Sequence, residues 1–242
     1  MKVTQFDEQS GLYEFQFDQV HTELHSHPAV ELIFAEHGVF SVITEFETQN
    51  DLSFSVVMSN QKHALVAEDC LLKVLMIEHQ DQLVSNLLAD HQISPVDGFV
   101  FSRQNAKLRL LLSDLSGQIM RKNPHPVYDD RVIRILDYIR NNEVSYDDMM
   151  AILPEVVHLS ESRLSHLFKQ EIGLSLKKYL IWDKLKKTIK NHLDEEEGLM
   201  ESLIKSGFYD QPHFIRAFKT MMGISPAKVY NSRIVQSSKD SQ

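Results

Sequence analysis

Two periodicities divide the chain. Up to about residue 78 the apolar positions fall in step with a period of two. Tyr13, Phe15 and Phe17 alternate with polar neighbours, and Leu71-Leu72-Lys73-Val74-Leu75-Met76-Ile77 is a nearly continuous apolar run of strand length. Between them lie Leu32-Ile33-Phe34, a turn residue at Gly38, and a run from Val39 to Phe46. Many short strands punctuated by turn signals predict a small antiparallel barrel or sandwich.

From residue 79 the spacing becomes helical. Leu83, Val84, Leu87 and Leu88 mark a short helix, and Leu108, Leu111, Leu112, Leu115 and Ile119 form a longer stripe at i, i+3, i+4, i+7 and i+11. The stripe is suited to packing on the outside of the β layer. Asn123-Pro124-His125-Pro126 then breaks the pattern, since two prolines in three residues mark a linker. Beyond it, Val132, Leu136 and Ile139 share one face of a helix from Arg131 to Arg140. The expected division is a β-rich domain with appended helices at 1–122, a linker at 123–127 and an all-α domain at 128–242.

The last third contains one pattern twice. Ser160-Glu-Ser-Arg163-Leu164-Ser-His166-Leu-Phe168-Lys169 leads to Gly173 and Ser175. Asp210-Gln211-Pro-His213-Phe214-Ile-Arg216-Ala-Phe218-Lys219 leads to Gly223 and Ser225. Phe168/Phe218, Lys169/Lys219, Gly173/Gly223 and Ser175/Ser225 are all offset by 50, which signals an internal repeat. Ser160 and Asp210 are good N-caps, because a short side-chain oxygen accepts orphan amide hydrogens of the first turn. Gly173 and Gly223 suit the left-handed residue that ends a helix. Leu164, Leu167 and Phe168, matched by Phe214, Ala217 and Phe218, give each helix an apolar face. The other face carries Ser162, Arg163, Ser165 and His166 in the first copy and Gln211, His213 and Arg216 in the second. Arg can take guanine bidentately and Gln can take adenine, so these are side chains fit to read base edges. Lys169 and Lys219 suit phosphate contacts, which fix register without reading sequence.

Residues 147–232 resemble the C-terminal DNA-binding domain of the AraC/XylS transcriptional regulators. The resemblance rests on Leu159-Ser160-x-x-x-Leu164-Ser165-x-x-Phe168-Lys169 with Gly173-x-Ser175-x-x-x-Tyr179. It rests more specifically on Gly207-Phe208-x-Asp210-x-x-x-Phe214-x-Arg216-x-Phe218-Lys219 with Gly223-x-Ser225-Pro226. It implies two helix-turn-helix units joined by a long helix, here about Ser175 to Leu193, that lets both recognition helices enter successive major-groove segments roughly 34 Å apart. The chain departs from the family at Lys184 and Thr188 in the linker helix, at Val229-Tyr230 and at Pro154.

Charge sharpens this picture. The formal net charge of −9 belongs wholly to residues 1–127, with 8 Lys/Arg against 17 Asp/Glu, while 128–242 balance at 17 each. Arg163, Lys169, Lys177, Lys178, Lys184, Lys186, Lys187 and Lys190 stand against only Glu171 and Asp183 within 163–190, the concentration expected of a phosphate footprint. The acidic run from Asp194 to Glu197 reads as a solvated turn. A single cysteine, Cys70, excludes an internal disulfide and fits a reducing cytoplasm. No signal peptide and no apolar stretch of membrane-spanning length is seen, so a cytoplasmic protein is expected.

The β region holds a second informative stretch, His25-Ser-His27-Pro-Ala-Val-Glu31 followed by Gly38. It is similar to the first motif of the cupin barrels, and residues 25, 27 and 31 share the parity that puts them on one strand face. Cupins supply a fourth ligand from a later turn, which the resemblance places at His63 in Met58-Ser-Asn60-Gln-Lys-His63. Asn60 stands where the motif has Gly and Met58 where it has Pro. Three imidazoles and a carboxylate suit one divalent transition metal, Fe, Mn, Ni, Cu or Zn. A polar pocket for a small organic effector, without metal, and a cluster that binds no ligand at all are the other readings.

The expected fold class is therefore α+β: an N-terminal cupin-like β-barrel with dimerisation helices, then a C-terminal all-α domain with two helix-turn-helix units. The expected function is a homodimeric, effector-sensing transcription regulator that binds promoter DNA and is not an enzyme. Two rivals stand beside it. One is a metal-dependent cupin enzyme, an isomerase or dioxygenase, drawing on Glu36, His37 or Tyr13; the other is an interaction protein built on the 83–119 stripe.

Overall fold

The computed structural model describes residues 2–8, 11–79, 81–104, 128–142, 145–194 and 198–226. The Leu108–Ile119 stripe, the linker 123–127 and Val229-Tyr230 lie outside them. The described residues divide into two compact units, one up to residue 104 together with 219–226, the other 128–218. The last turn of the final helix is thus grouped with the N-terminal unit, where the sequence reading kept 128–242 together.

The first unit is antiparallel β with one helix. Its strands are β1 (Lys2–Asp7), β2 (Leu12–Phe17), β3 (Val20–His21), β4 (Ala29–His37), β5 (Phe40–Thr44), β6 (Thr48–Leu52), β7 (Phe54–Val57), β8 (His63–Ala67), β9 (Leu71–Glu78) and β10 (Phe99–Ser102), with α1 (Asp81–Asp90) before the last. One sheet has the order β1-β2-β9-β4-β7-β10 and the other β3-β8-β5-β6. The period-two pattern decides which way each strand faces. Val30, Leu32, Leu75, Ile77, Phe54 and Val56 cover one face of the larger sheet and meet Val84, Leu87 and Leu88 of α1. The apolar side of α1 is therefore consumed within the chain. Burying a side chain of this kind stabilises the fold by about 1.5–3 kcal/mol.

The other face of the same sheet is set by register. Glu31 pairs with both Met76 and Val57, Ala29 with Glu78, Ile33 with Ser55, and Tyr13 with Met76. Cross-strand partners share a face, so Tyr13, Glu31, Ser55, Val57, Met76 and Glu78 all lie on the side opposite α1. The expected strand from Val39 to Phe46 is shorter than its apolar run. The Thr44 hydroxyl accepts from the amides of Phe46 and Glu47 and turns the chain, leaving Phe46 90% exposed.

The second unit is helical: α2 (Asp130–Asn141), α3 (Tyr146–Val157), α4 (Glu161–Ile172), α5 (Leu176–Asp194), α6 (Leu199–Lys205) and α7 (Gln211–Met222). The caps are those the sequence signals. Asp129, Ser145, Ser160 and Asp210 each accept an amide hydrogen of the turn that follows, at 2.9, 3.1, 3.4 and 2.7 Å. Gly173 and Gly223 end α4 and α7 at φ 79° and 67°, where a Cβ would be strained. Leu164, Phe168, Phe214 and Phe218 are buried as expected. In α2 the buried positions are Val132, Ile135 and Ile139, with Leu136 only half-buried, so the apolar face is turned slightly from the one expected. Pro154 lies within α3, between the buried Leu153 and Val157.

The linker helix α5 is the scaffold. Tyr179, Leu180, Trp182, Leu185 and Ile189 are buried, and the Phe168 ring packs edge-on to Tyr179 at 5.5 Å. On its other side Lys184 Nζ donates to the Gly207 carbonyl at 2.8 Å, and Asn191 Nδ2 donates to Ser206 Oγ at 3.3 Å. These contacts tie α5 to the end of α6. Thr188, one of the departures from the family pattern, is fully buried and returns its hydroxyl to the Lys184 carbonyl at 2.8 Å. Truncating the buried ring in Phe168→Ala is expected to cost about 3–5 kcal/mol. Urea denaturation followed by far-ultraviolet circular dichroism measures this, and a loss under 1 kcal/mol would contradict the packing.

Candidate functional site

The HxH turn and the β8 entry meet in one polar cluster. His25 pairs with His63 in an isolated antiparallel bridge, with amide-to-carbonyl distances of 2.9 and 3.0 Å. The Asn60 amide bonds the His27 carbonyl at 2.8 Å, and Asn60 adopts φ 65° at the position where the cupin motif has Gly. Left-handed backbone is tolerable for Asn. These bonds bring the donor atoms of His25, His27, Glu31 and His63 within 4.8 Å of one another, and all four side chains are buried. Among the described residues this is the one group of three or more such side chains close enough to hold a metal ion.

Its electrostatics follow from burial and from the charges the four side chains place on one another. Each imidazole places Nδ1 on a backbone carbonyl: His25 on Glu23 at 2.9 Å, His27 on Ala29 at 3.1 Å and His63 on Gln61 at 2.9 Å. A nitrogen facing a carbonyl carries the hydrogen, which leaves Nε2 as the lone-pair donor. Glu31 Oε2 lies 2.6 Å from His63 Nε2 and 3.3 Å from His27 Nε2. Burial opposes charge on both Glu31 and His63, but each offsets it for the other. Glu31 is held below the usual carboxylate range, with His27 assisting, and the His63 imidazole is raised. His25 is pushed down to about 3 by burial and then by the charges of His63 and His27. A buried carboxylate needs a cation beside it, and here either an imidazolium or a metal can supply it.

Further polar groups share that sheet face: Tyr13, which the sequence offered as a candidate, and Glu78 and Ser55, which sequence reasoning missed. The Tyr13 hydroxyl donates to Glu78 Oε2 at 2.9 Å, so Tyr13 is engaged by a buried carboxylate. The Ser55 hydroxyl is fully buried and has no hydrogen-bond partner among the described residues. Its signal in sequence is weak: a lone hydroxyl inside the apolar run Phe54-Ser55-Val56-Val57. Glu36 and His37 sit at the far end of β4, roughly 16–20 Å along the strand from Glu31. Glu36 pairs with Lys73 at 2.7 Å and His37 is exposed, so neither joins the cluster.

The helical unit presents the expected polar faces. On α4, Ser162, Arg163, His166 and Lys169 are exposed and Ser165 is half-buried. On α7, Gln211, Arg216 and Lys219 are exposed, while His213 is half-buried with its ring edge-on to Phe208 at 5.3 Å. The α4 face borders a groove of about 390 Å³ lined by Arg131, Leu159, Ser162, Arg163, His166, Leu167 and Gln170. Arg131, which sequence reasoning passed over, reaches it from α2 and is held by Asp129 at 2.8 and 2.6 Å. The basic run along α5 is thinner at the surface than its composition suggests. Lys184 is spent on Gly207, Lys186 is buried, and Lys187 pairs with Asp183 at 3.1 Å, whereas Lys177 and Lys178 are exposed.

The family model described as a helix-turn-helix domain matches residues 153–232, a segment that takes in α4, α5, α6 and α7. The arabinose operon regulatory protein of Escherichia coli is 32% identical over 114 residues, 46% of this chain and 38% of that protein. Its counterpart from Salmonella typhimurium is 33% identical over 113 residues, 46% of this chain and 39% of that protein. The matched segment is thus well under half the length of these curated relatives. At the level of fold, an apo ToxT variant from Vibrio cholerae superposes with a TM-score of 0.54 at 11% identity, covering 90% of this chain and 96% of that one. ToxT with an unsaturated fatty acid bound gives 0.51 at 12% identity, covering 94% and 96%. Over this segment the chain is similar to these operon regulatory proteins.

The orphan hydroxyl of Ser55 gives a stability test. An unmet buried donor costs its desolvation, so Ser55→Ala is expected to raise the stability of the protein by about 1 kcal/mol in chemical denaturation. A loss of similar size would show that the hydroxyl has a partner.

Proposed function

We propose that the protein is a sequence-specific, DNA-binding transcription regulator that senses an effector through its N-terminal unit. The observation that carries this reading is the repeated helix: α4 and α7 share length, caps, a buried aromatic face and an exposed face of Arg, Ser, His and Gln side chains. In this reading α3–α4 and α6–α7 are two helix-turn-helix units and α5 sets their spacing. Ser162, Arg163, Ser165 and His166 read one major-groove segment, Gln211, His213 and Arg216 the next, and Lys169 and Lys219 hold phosphates. Promoter DNA is the macromolecular partner, a homodimer the working form, and the cytoplasm its place. The curated relatives are named as operon regulators, which supports regulation over catalysis.

The N-terminal unit is read as a cupin-like barrel whose effector site is the cluster of His25, His27, Glu31 and His63. The donor set fits one divalent transition metal: three imidazoles with Nδ1 pinned outward and one carboxylate, all buried. Such an ion would supply a fixed positive charge beside Glu31. The ToxT neighbour is described with a fatty acid, and a small organic effector in this unit is the reading that a metal-free result would favour.

Two measurements test the proposal. On a duplex selected from a random pool, Arg216→Ala is expected to lower specific affinity by about 1–3 kcal/mol while leaving binding to random DNA nearly unchanged. Equal losses on both would show that Arg216 only contacts phosphate. For the effector site, tag-free protein purified without chelator is expected to carry near one equivalent of Fe, Mn, Ni, Cu or Zn, lost in His63→Ala and in His25→Ala. No metal after incubation with all five salts would overturn the metal reading.

A further inference from the structure

The α7 face contains one residue that polar recognition does not explain. Phe214, Ala217, Phe218 and Met221 are buried on one side, while Gln211, Pro212, Ile215, Arg216, Lys219 and Thr220 line the other. Ile215 is 38% exposed and lies at i+4 from Gln211 and i−4 from Lys219. At 3.6 residues per turn it is about 40° around the axis and about 6 Å along it from Gln211, inside the exposed arc. An isoleucine there leaves apolar surface open to solvent. A β-branched residue is also a weaker helix former than the straight-chain residues usual at such sites. The repeat offers a comparison, since the position offset by 50 in α4 is Ser165. The two reading faces carry different residues at most positions, and at this one the difference is an apolar side chain against a hydroxyl.

We infer that Ile215 is a specificity-determining residue that reads the 5-methyl group of a thymine in the DNA segment facing α7. The inference rests on the proposed use of α7 as a base reader. With Gln211 and Arg216 directed at base edges, Ile215 between them faces the groove floor. The apolar feature that a base pair displays in the major groove is the thymine methyl, and apolar side chains are its usual partners. Ser165 at the matching position of α4 has a hydroxyl, which can serve more than one base. The two DNA segments are therefore unequal: the one read by α7 requires a thymine at this point, and the one read by α4 does not.

Deoxyuridine isolates this contact, because replacing thymine by uracil deletes the methyl and keeps every hydrogen-bonding group. Full-length protein is used to select duplexes from a random pool, and each thymine of the selected sequence is replaced in turn. Fluorescence anisotropy is expected to show one thymine whose replacement weakens wild-type binding about four-fold, which is the worth of one buried methyl or methylene, about 0.8 kcal/mol. Ile215→Ala, which keeps the helix because Ala is the better helix former, is expected to bind the thymine and uracil duplexes equally; Ile215→Val is expected to retain part of the preference. Selective binding that ignores every uracil replacement would overturn the role of Ile215 and leave the base-reading proposal standing. So would a preference that survives in Ile215→Ala. Failure to enrich any sequence would overturn base reading by α7 and this role with it.

Discussion

A helix that offers one face to another molecule gains nothing from that face in the free protein. Its stability has to come from the opposite face and from its ends. Twelve-residue helices are marginal alone in water, and α4 and α7 are both of this length. Each is held by a cap at the first turn, a left-handed glycine after the last, and fully buried residues between: Leu164 and Phe168 in one, Phe214 and Phe218 in the other. With stability secured on those sides, the remaining positions are free to vary with the partner. Arg163, Gln211 and Arg216 can be charged or polar, and Ile215 can be apolar, at little cost to the fold. The long helix α5 serves both: Tyr179 packs on Phe168, and Lys184 and Asn191 reach Gly207 and Ser206 at the end of α6.

A related constraint shapes the N-terminal unit. There a charge is buried, and every surrounding choice follows from keeping it paired. Strand parity points Glu31 away from α1, the Asn60 turn brings His63 across, and three backbone carbonyls orient three imidazoles toward the carboxylate. The same sheet face carries the Tyr13–Glu78 pair and the unmet Ser55 hydroxyl. The unit thus spends one sheet face on a purely apolar seam with α1 and the other on a mixture of polar groups and apolar filling.

Much of this was legible in the chain because it is written in local rules. Caps, stop glycines and the 50-residue offset announced α4 and α7, and the HxH spacing announced the grouping of His25, His27 and Glu31, although β4 begins at Ala29, past both histidines. What escaped the sequence depended on contacts between distant segments. Arg131 reaches the α4 groove only because α2 packs beside it, and Glu78 meets Tyr13 across 65 residues. Lys184, Lys186 and Lys187 looked like phosphate contacts by composition, yet the packing of α5 turns them inward or pairs them. Phe46 looked like the end of a strand, but a single threonine hydroxyl turned the chain before it. Periodicity tells which face is apolar; it does not tell which charged residues on the other face are already spoken for.

The proposed use of two reading helices on one duplex is tested most directly by hydroxyl-radical footprinting of the protein on a selected duplex. Two recognition helices spaced by α5 would protect two short segments whose centres lie about one helical turn apart, roughly 10–10.5 base pairs. Disrupting the α7 face through Arg216→Ala would weaken one segment and leave the other. A single protected segment, unchanged by substitutions in α7, would contradict the account.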